Sequence, residues 1–181
     1  MGSNQKSVFF DNSNLGTRFI GYTISKLPDD LSLQFRARIP YIGVRPLFLY
    51  IHAKGFKLRG AVAAALGNVC YSNGLSVFFC YLDDASAARR KIWKGDDADF
   101  VRIEEVDFMI LDGFDSTEPV APIIETLEEI IRYRLRFGKH TVILSELVMR
   151  GRGTAGFQTA FERIGKTIAQ EFERWERKDE Q

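Results

Sequence analysis

Cysteine is scarce. The chain holds two, Cys70 and Cys80, each in an apolar stretch and with no further pair at zinc-type spacing. That argues against a disulfide scaffold or a structural zinc and for buried free thiols in a reducing compartment. An excess of one charge is missing as well: 25 Lys and Arg stand against 24 Asp and Glu. No long-range field therefore draws the whole molecule to nucleic acid or to an anionic membrane, and any basic site has to be local. No apolar run reaches the roughly 18 residues of a membrane helix, and the first residues lack an apolar stretch of signal-peptide length. Met1-Gly2 does not open a lipidation signal, because the position that needs Ser or Thr holds Lys6. The expectation is a cytoplasmic protein without membrane contact, one domain of 181 residues whose 45% hydrophobic content can build a core.

What is present is an alternation of two patterns. Residues 47–51, 76–82, 106–111 and 141–144 are short, nearly continuous apolar runs, as in strands buried on both faces. Between them, residues 60–73 place Val62, Ala65, Leu66, Val69 and Cys70 at helical spacing, and residues 120–135 do the same with Ile123, Ile124, Leu127, Ile130 and Ile131. Strands alternating with helices predict an α/β fold: a central, mostly parallel sheet of four to five strands flanked by helices in three layers. A short helix is predicted over 31–39, capped by Asp29 and Asp30 and ended by Pro40. A final amphipathic helix is predicted over 157–175, with Phe157, Phe161, Ile164, Ile168, Phe172 and Trp175 along one side. The layout is then residues 1–40 as a leader and short helix, with anchors such as Leu15 and Phe19, residues 41–176 as the α/β domain, and 177–181 as a frayed charged tail.

In an open parallel sheet, ligands bind where a strand turns into a helix, because backbone N–H groups and the helix dipole point at an anion there. The first such turn comprises residues 53–60. A working phosphate loop reads G-x-x-x-x-G-K-[ST], with glycines to curl around phosphate, Lys to reach the terminal phosphates and a hydroxyl for magnesium. Here Ala53, Leu58, Arg59 and Gly60 fill those positions, and each differs. Leu58 adds a Cβ, Gly60 has no oxygen for a metal, and the planar fork of Arg59 does not replace a compact ammonium. Lys54, Lys57 and Arg59 keep the turn cationic. A solvated basic connection and a remnant nucleotide or anion site formed by Ala53, Lys54, Gly55, Lys57, Arg59 and Gly60 both remain open.

The third apolar run ends in Asp112. In hydrolytic P-loop proteins an acid at such a strand end holds the magnesium shell, and an adjacent acid orients the attacking water. Asp112 fits the first role; the second falls on Gly113, with Asp115 nearby. Taken in order, the elements resemble the bacterial replicative helicase loaders and the insertion-sequence transposition helper ATPases, a branch of the AAA+ P-loop proteins. The resemblance starts at Phe10-Asp11-Asn12, passes through Leu49-Tyr50-Ile51, the altered turn and Val106 to Asp112, and continues into Arg134-Leu135-Arg136-Phe137-Gly138-Lys139-His140-Thr141 and Ser145-Glu146-Leu147. Glu146 matches the asparagine that senses the terminal phosphate in that family. Arg163 is kept in the element 161–168, while the arginine that reaches a neighbour's active site matches Thr167.

The resemblance implies a P-loop, AAA+-like domain with degenerate motifs that no longer hydrolyses ATP, since each lost electrostatic group in such a site costs several kcal/mol of transition-state stabilisation. No catalytic residue, metal or cofactor is expected. The implied role is a binding or regulatory module in DNA replication or mobile-element handling, with a replicative helicase, a loader or a second copy as partner. Single-stranded DNA is a further candidate, through the basic residues Arg134, Arg136, Lys139, Arg150, Arg152 and Arg163. Two other readings stay open: an unconventional ATPase that retains nucleotide through Arg59 and Asp112, and a structural subunit that reuses the fold for assembly. His52 and His140 have no nucleophile and acid around them and read as structural, Trp93 and Trp175 as fillers of core or interface pockets, and Asp96, Asp97 and Asp99 as a polar connection.

Overall fold

The computed structural model describes Leu15, Phe19 and residues 21–114, 121–147 and 173–175. Five α-helices and five strands lie within them: α1 (Asp29–Arg38), β1 (Phe48–His52), α2 (Phe56–Ser72), β2 (Val77–Tyr81), α3 (Leu82–Ile92), α4 (Ala98–Glu105), β3 (Phe108–Asp112), α5 (Ala121–Arg136), β4 (His140–Ser145) and β5 (Glu173–Trp175). The strands pair in the order β2-β3-β4-β1-β5, and every pairing is parallel.

Period-two alternation along strands buried on both sides produces two cores. Leu49, Ile51, Phe79, Ile110, Val142 and Leu144 face α1, α2 and the leader residues Leu15 and Phe19. Tyr50, Cys80, Met109, Leu111 and Ile143 face α3, α4 and α5. The result is the expected three-layer α/β sandwich. Both cysteines are free and buried, and desolvation pushes the Cys80 thiol up to about 12.

Several boundaries move. Helix α1 starts at Asp29, so Asp29 and Asp30 form its first turn instead of capping it. Helices α3 and α4 have no counterpart in the pattern reading, which treats residues 96–99 as a plain connection. Asp99 lies in the first turn of α4, paired with Lys91 at 2.9 Å, and the described residues hold no metal-type cluster. Trp93 fills no pocket in this chain; it is 88% exposed. The predicted final helix is corrected at its end: residues 173–175 form β5, whose backbone pairs with the open side of β1 in the register Leu49↔Glu173 to Ile51↔Trp175. An unpaired row of N–H and C=O groups beside a central strand outweighs helical spacing there. Residues 157–172 and 177–181 lie outside the described residues.

Candidate functional site

Strand β1 lies between β4 and β5, and the chain leaving it crosses to the far edge of the sheet, at β2. That reversal puts a topological switch point, the place of the ligand crevice in parallel α/β sheets, at the carboxyl ends of β1 and β4. Register fills it: His52 pairs with Ser145, so the residues after them, Ala53 and Glu146, are neighbours. Asp112 ends β3, on the other side of β4.

The turn after β1 is much shorter than a phosphate loop. Helix α2 begins at Phe56, with Gly55 as N-cap at φ 80°, so only Ala53, Lys54 and Gly55 link strand to helix. This corrects the expected loop over 53–60: Lys57, Leu58, Arg59 and Gly60 lie in the first turns of the helix. The N–H groups of Leu58 and Arg59 donate to the Gly55 carbonyl at 3.1 and 3.3 Å. Donors that would face phosphate are thereby used inside the helix. The left-handed φ belongs to Gly55, so the Leu58 Cβ meets no such strain.

Arg59 is buried and sits between two carboxylates. Its Nε donates to Asp112 Oδ1 at 2.5 Å, and its Nη1 donates to Glu146 Oε1 at 2.5 Å. The same Glu146 oxygen accepts the Gly55 N–H at 2.9 Å. Asp112 Oδ1 also accepts the N–H of Gly113 at 2.7 Å. The Asp112 side chain is fully buried, whereas that of Glu146 is 42% exposed. Hydrogen bonds from Arg59, then from Gly55, hold the Glu146 carboxyl below its ordinary value. Three groups that the sequence scatters over 88 positions, from Arg59 to Glu146, thus form one ion triad. The guanidinium stands beside the acid that would hold a metal, and a carboxylate stands on the loop N–H that would hold a phosphate.

The leader closes the next position. Phe19 is buried against Gly60, where an added Cβ would lie 2.3 Å from the ring. Its ring also meets Phe56 edge-on, with centroids 6.0 Å apart. A Ser or Thr at position 60 and Phe19 cannot occupy that space together. Sequence reading placed Phe19 among the leader's anchors but gave no sign that its ring occupies the hydroxyl position, because nothing local links residues 19 and 60.

The basic group separates into different roles. Arg134 is a correction: it is fully buried at the opposite end of the sheet and offers no surface to DNA. Its Nε donates to Thr141 Oγ1, Nη1 to the carbonyls of Ile103, Glu104 and Val106, and Nη2 to those of Asp107 and His140. Burial lowers its pKa to about 10. Lys139 donates to the Glu105 carbonyl at 2.8 Å, with the carboxylates of Glu105 and Asp107 near it. Arg136 is exposed, its guanidinium 5.4 Å from the Phe137 ring centre. Asp115, Arg150, Arg152, Arg163 and Thr167 lie outside the described residues. Both histidines are buried: His140 Nδ1 accepts the Leu47 N–H at 3.1 Å, and His52 Nε2 is 3.1 Å from the Glu146 carbonyl.

No protein-family model matches the sequence, and no curated protein matches it. Solved structures match by shape. The structure of DnaI overlays with a TM-score of 0.71 at 16% identity, over 95% of this chain and 95% of that one. The DnaC helicase loader gives 0.69 at 18% identity, over 88% of this chain and 98% of that one. AMPPCP-bound DnaA from Aquifex aeolicus gives 0.66 at 15% identity, over 90% of this chain and 51% of that one, so this chain spans about half of DnaA's length. Likeness at these identities is likeness of fold: the chain has the AAA+-type P-loop α/β fold of DnaI, the DnaC helicase loader and DnaA.

Proposed function

We propose that this chain is a non-hydrolysing module of the helicase-loader kind, acting by contact in DNA replication or mobile-element handling. The observation that carries the reading is the commitment of Arg59. A phosphoryl-transfer site needs a cation free to bridge phosphate oxygens and an acid free to hold the metal shell. Here Arg59 and Asp112 are committed to each other inside the protein, 2.5 Å apart. Glu146 adds negative charge where the terminal phosphates would sit, and the loop that would curl around them is wound into α2. Losing one preorganised group commonly costs about 3 kcal/mol of transition-state stabilisation. Several are lost together.

The partner is a protein: a replicative helicase, a loader, or a second copy. The support is the fold shared with the DnaC helicase loader and DnaI. Contact with single-stranded DNA rests on Arg136, with Arg150, Arg152 and Arg163 as further candidates, and no longer on Arg134. The unit that makes these contacts is the domain over 41–176 with its leader strapped on.

The test is a titration with a fluorescent ATP analogue with and without magnesium, beside a size-exclusion assay with the replicative helicase of the same cell. The reading expects no magnesium-dependent binding, no turnover and a shared elution peak. Micromolar magnesium-dependent binding with phosphate release would sink it. A DNA mobility shift that weakens with salt and with Arg136→Ala supports the DNA contact; a salt-independent one removes it.

A further inference from the structure

Several departures separate residues 53–60 from a working phosphate loop, and they act differently. Ala53, Leu58 and Gly60 subtract favourable groups or add bulk. Glu146 does something else: its carboxylate takes the Gly55 N–H and one guanidinium nitrogen of Arg59, and it adds a like charge at the spot an incoming anion needs.

We infer that Glu146 is the specificity-determining residue of this crevice, an internal carboxylate that excludes polyphosphate from the Gly55 N–H and the Arg59 guanidinium. This rests on the non-hydrolysing reading and assigns the exclusion to one side chain. Of the two acids on Arg59, Asp112 is sealed in the core, whereas Glu146 is 42% exposed and hangs from the residue just past β4. It is the exchangeable partner: it can leave for solvent while Arg59 keeps its bond to Asp112. The depressed pKa of Glu146 keeps the carboxylate charged at neutral pH. Exclusion is therefore the resting state.

The experiment compares the full chain with Glu146→Gln and Glu146→Ala. Gln keeps size and an acceptor for Gly55 but removes the charge; Ala removes both. The probe is sodium tripolyphosphate without metal, read by calorimetry and thermal shift, with circular dichroism to verify folding. Unmodified protein is expected to show no binding at millimolar probe. The Ala variant is expected to bind about tenfold tighter or better, with Gln between, as removal of a like charge within a few ångströms predicts. If both variants fold and bind no better than the unmodified chain, the inference falls, while the non-hydrolysing reading stands. If the unmodified chain already binds and Glu146→Ala gains nothing, the inference and the idea of a closed crevice fall together. Binding by the unmodified chain that tightens tenfold in the Ala variant keeps the role of Glu146 and breaks only the closed-crevice reading.

Discussion

Two arginines are buried at opposite ends of the same sheet, and they are buried for different reasons. Arg59, at the carboxyl ends of the strands, is matched by the side-chain carboxylates of Asp112 and Glu146. Arg134, at the amino ends, is matched by one hydroxyl and five backbone carbonyls from α4, the start of β3 and the start of β4. Backbone carbonyls cannot be mutated away, so whatever replaces Arg134 leaves orphaned acceptors. Carboxylates can be replaced. The first end is a substitutable ion triad built where a ligand would sit, and the second is a fixed staple that ties the C-terminus of a short helix to two strands.

The largest expected effect follows from that asymmetry. Arg134→Ala strips buried hydrogen bonds from the carbonyls of Ile103 and His140 and part-buried ones from Glu104, Val106 and Asp107, and leaves a cavity; unsatisfied buried polar groups cost about 1–3 kcal/mol each. A loss of about 5 kcal/mol is expected, a large fraction of a domain's stability. Arg134→Lys rescues little, because an ammonium cannot span the fork that reaches Ile103 and His140 together. Urea unfolding of both variants is the measurement; near-native midpoints would mean that the staple is dispensable.

Arg59→Ala comes next, at about 3 kcal/mol, since it takes the guanidinium away from the buried Asp112 carboxylate while Glu146 turns to solvent. The contrast sharpens in a double variant. Arg59→Met with Asp112→Leu replaces ion pair by apolar packing and is expected to return most of that loss, whereas no second mutation can do the same for Arg134. If the double variant is as unstable as Arg59→Ala, the triad is as fixed as the staple and the comparison fails.

The sequence conveyed these two ends unequally. Four buried strands and the α/β order were legible because apolar runs of about five residues between helical patterns leave few alternatives. The site was legible in outline: Arg59 at a lysine position, Asp112 at a strand end, Glu146 at an asparagine position. That these departures answer one another was not, since pairing across β1, β3 and β4 is a property of strand order. Arg134 misled for a related reason: an arginine two residues before Arg136 in a basic run reads as surface, yet positions two apart lie on different sides of a helix. Helix α3 escaped because the small residues Ala85, Ser86 and Ala88 carry most of its buried face, and α4 because only Phe100 and Ile103 of its eight residues are buried. Strand β5 escaped because three residues carry no period.

A smaller effect tests the leader. Gly60→Ser restores one motif residue on paper but places a Cβ 2.3 Å from a Phe19 ring atom. Overpacking of this kind costs about 1–3 kcal/mol. Stability is expected to fall without any gain in magnesium binding, and Phe19→Ala in the same chain is expected to relieve part of the strain. Magnesium-dependent nucleotide binding by Gly60→Ser alone would show that the ring yields the position easily.

The smallest effect is a difference in acid response between the two ends. His140 lies beside Arg134, and burial, then the Arg134 charge, lowers its pKa from the ordinary 6.5. A depressed folded value means that neutral His140 contributes stability above pH 6.5, and that this is lost as pH falls through the folded value. Protonation also destroys the acceptor for the Leu47 N–H. Glu146 is likewise depressed from its ordinary 4.5, so its contribution is present above that pH and is lost only as pH falls further. Acid should therefore loosen the staple end first and the triad end second. His140→Asn, whose amide oxygen can take the Leu47 N–H, is expected to flatten the melting temperature between about pH 7 and pH 5 and to leave the lower limb unchanged. Glu146→Gln is expected to do the reverse. If both variants flatten the same limb, the two ends are coupled, and the sheet transmits charge between them.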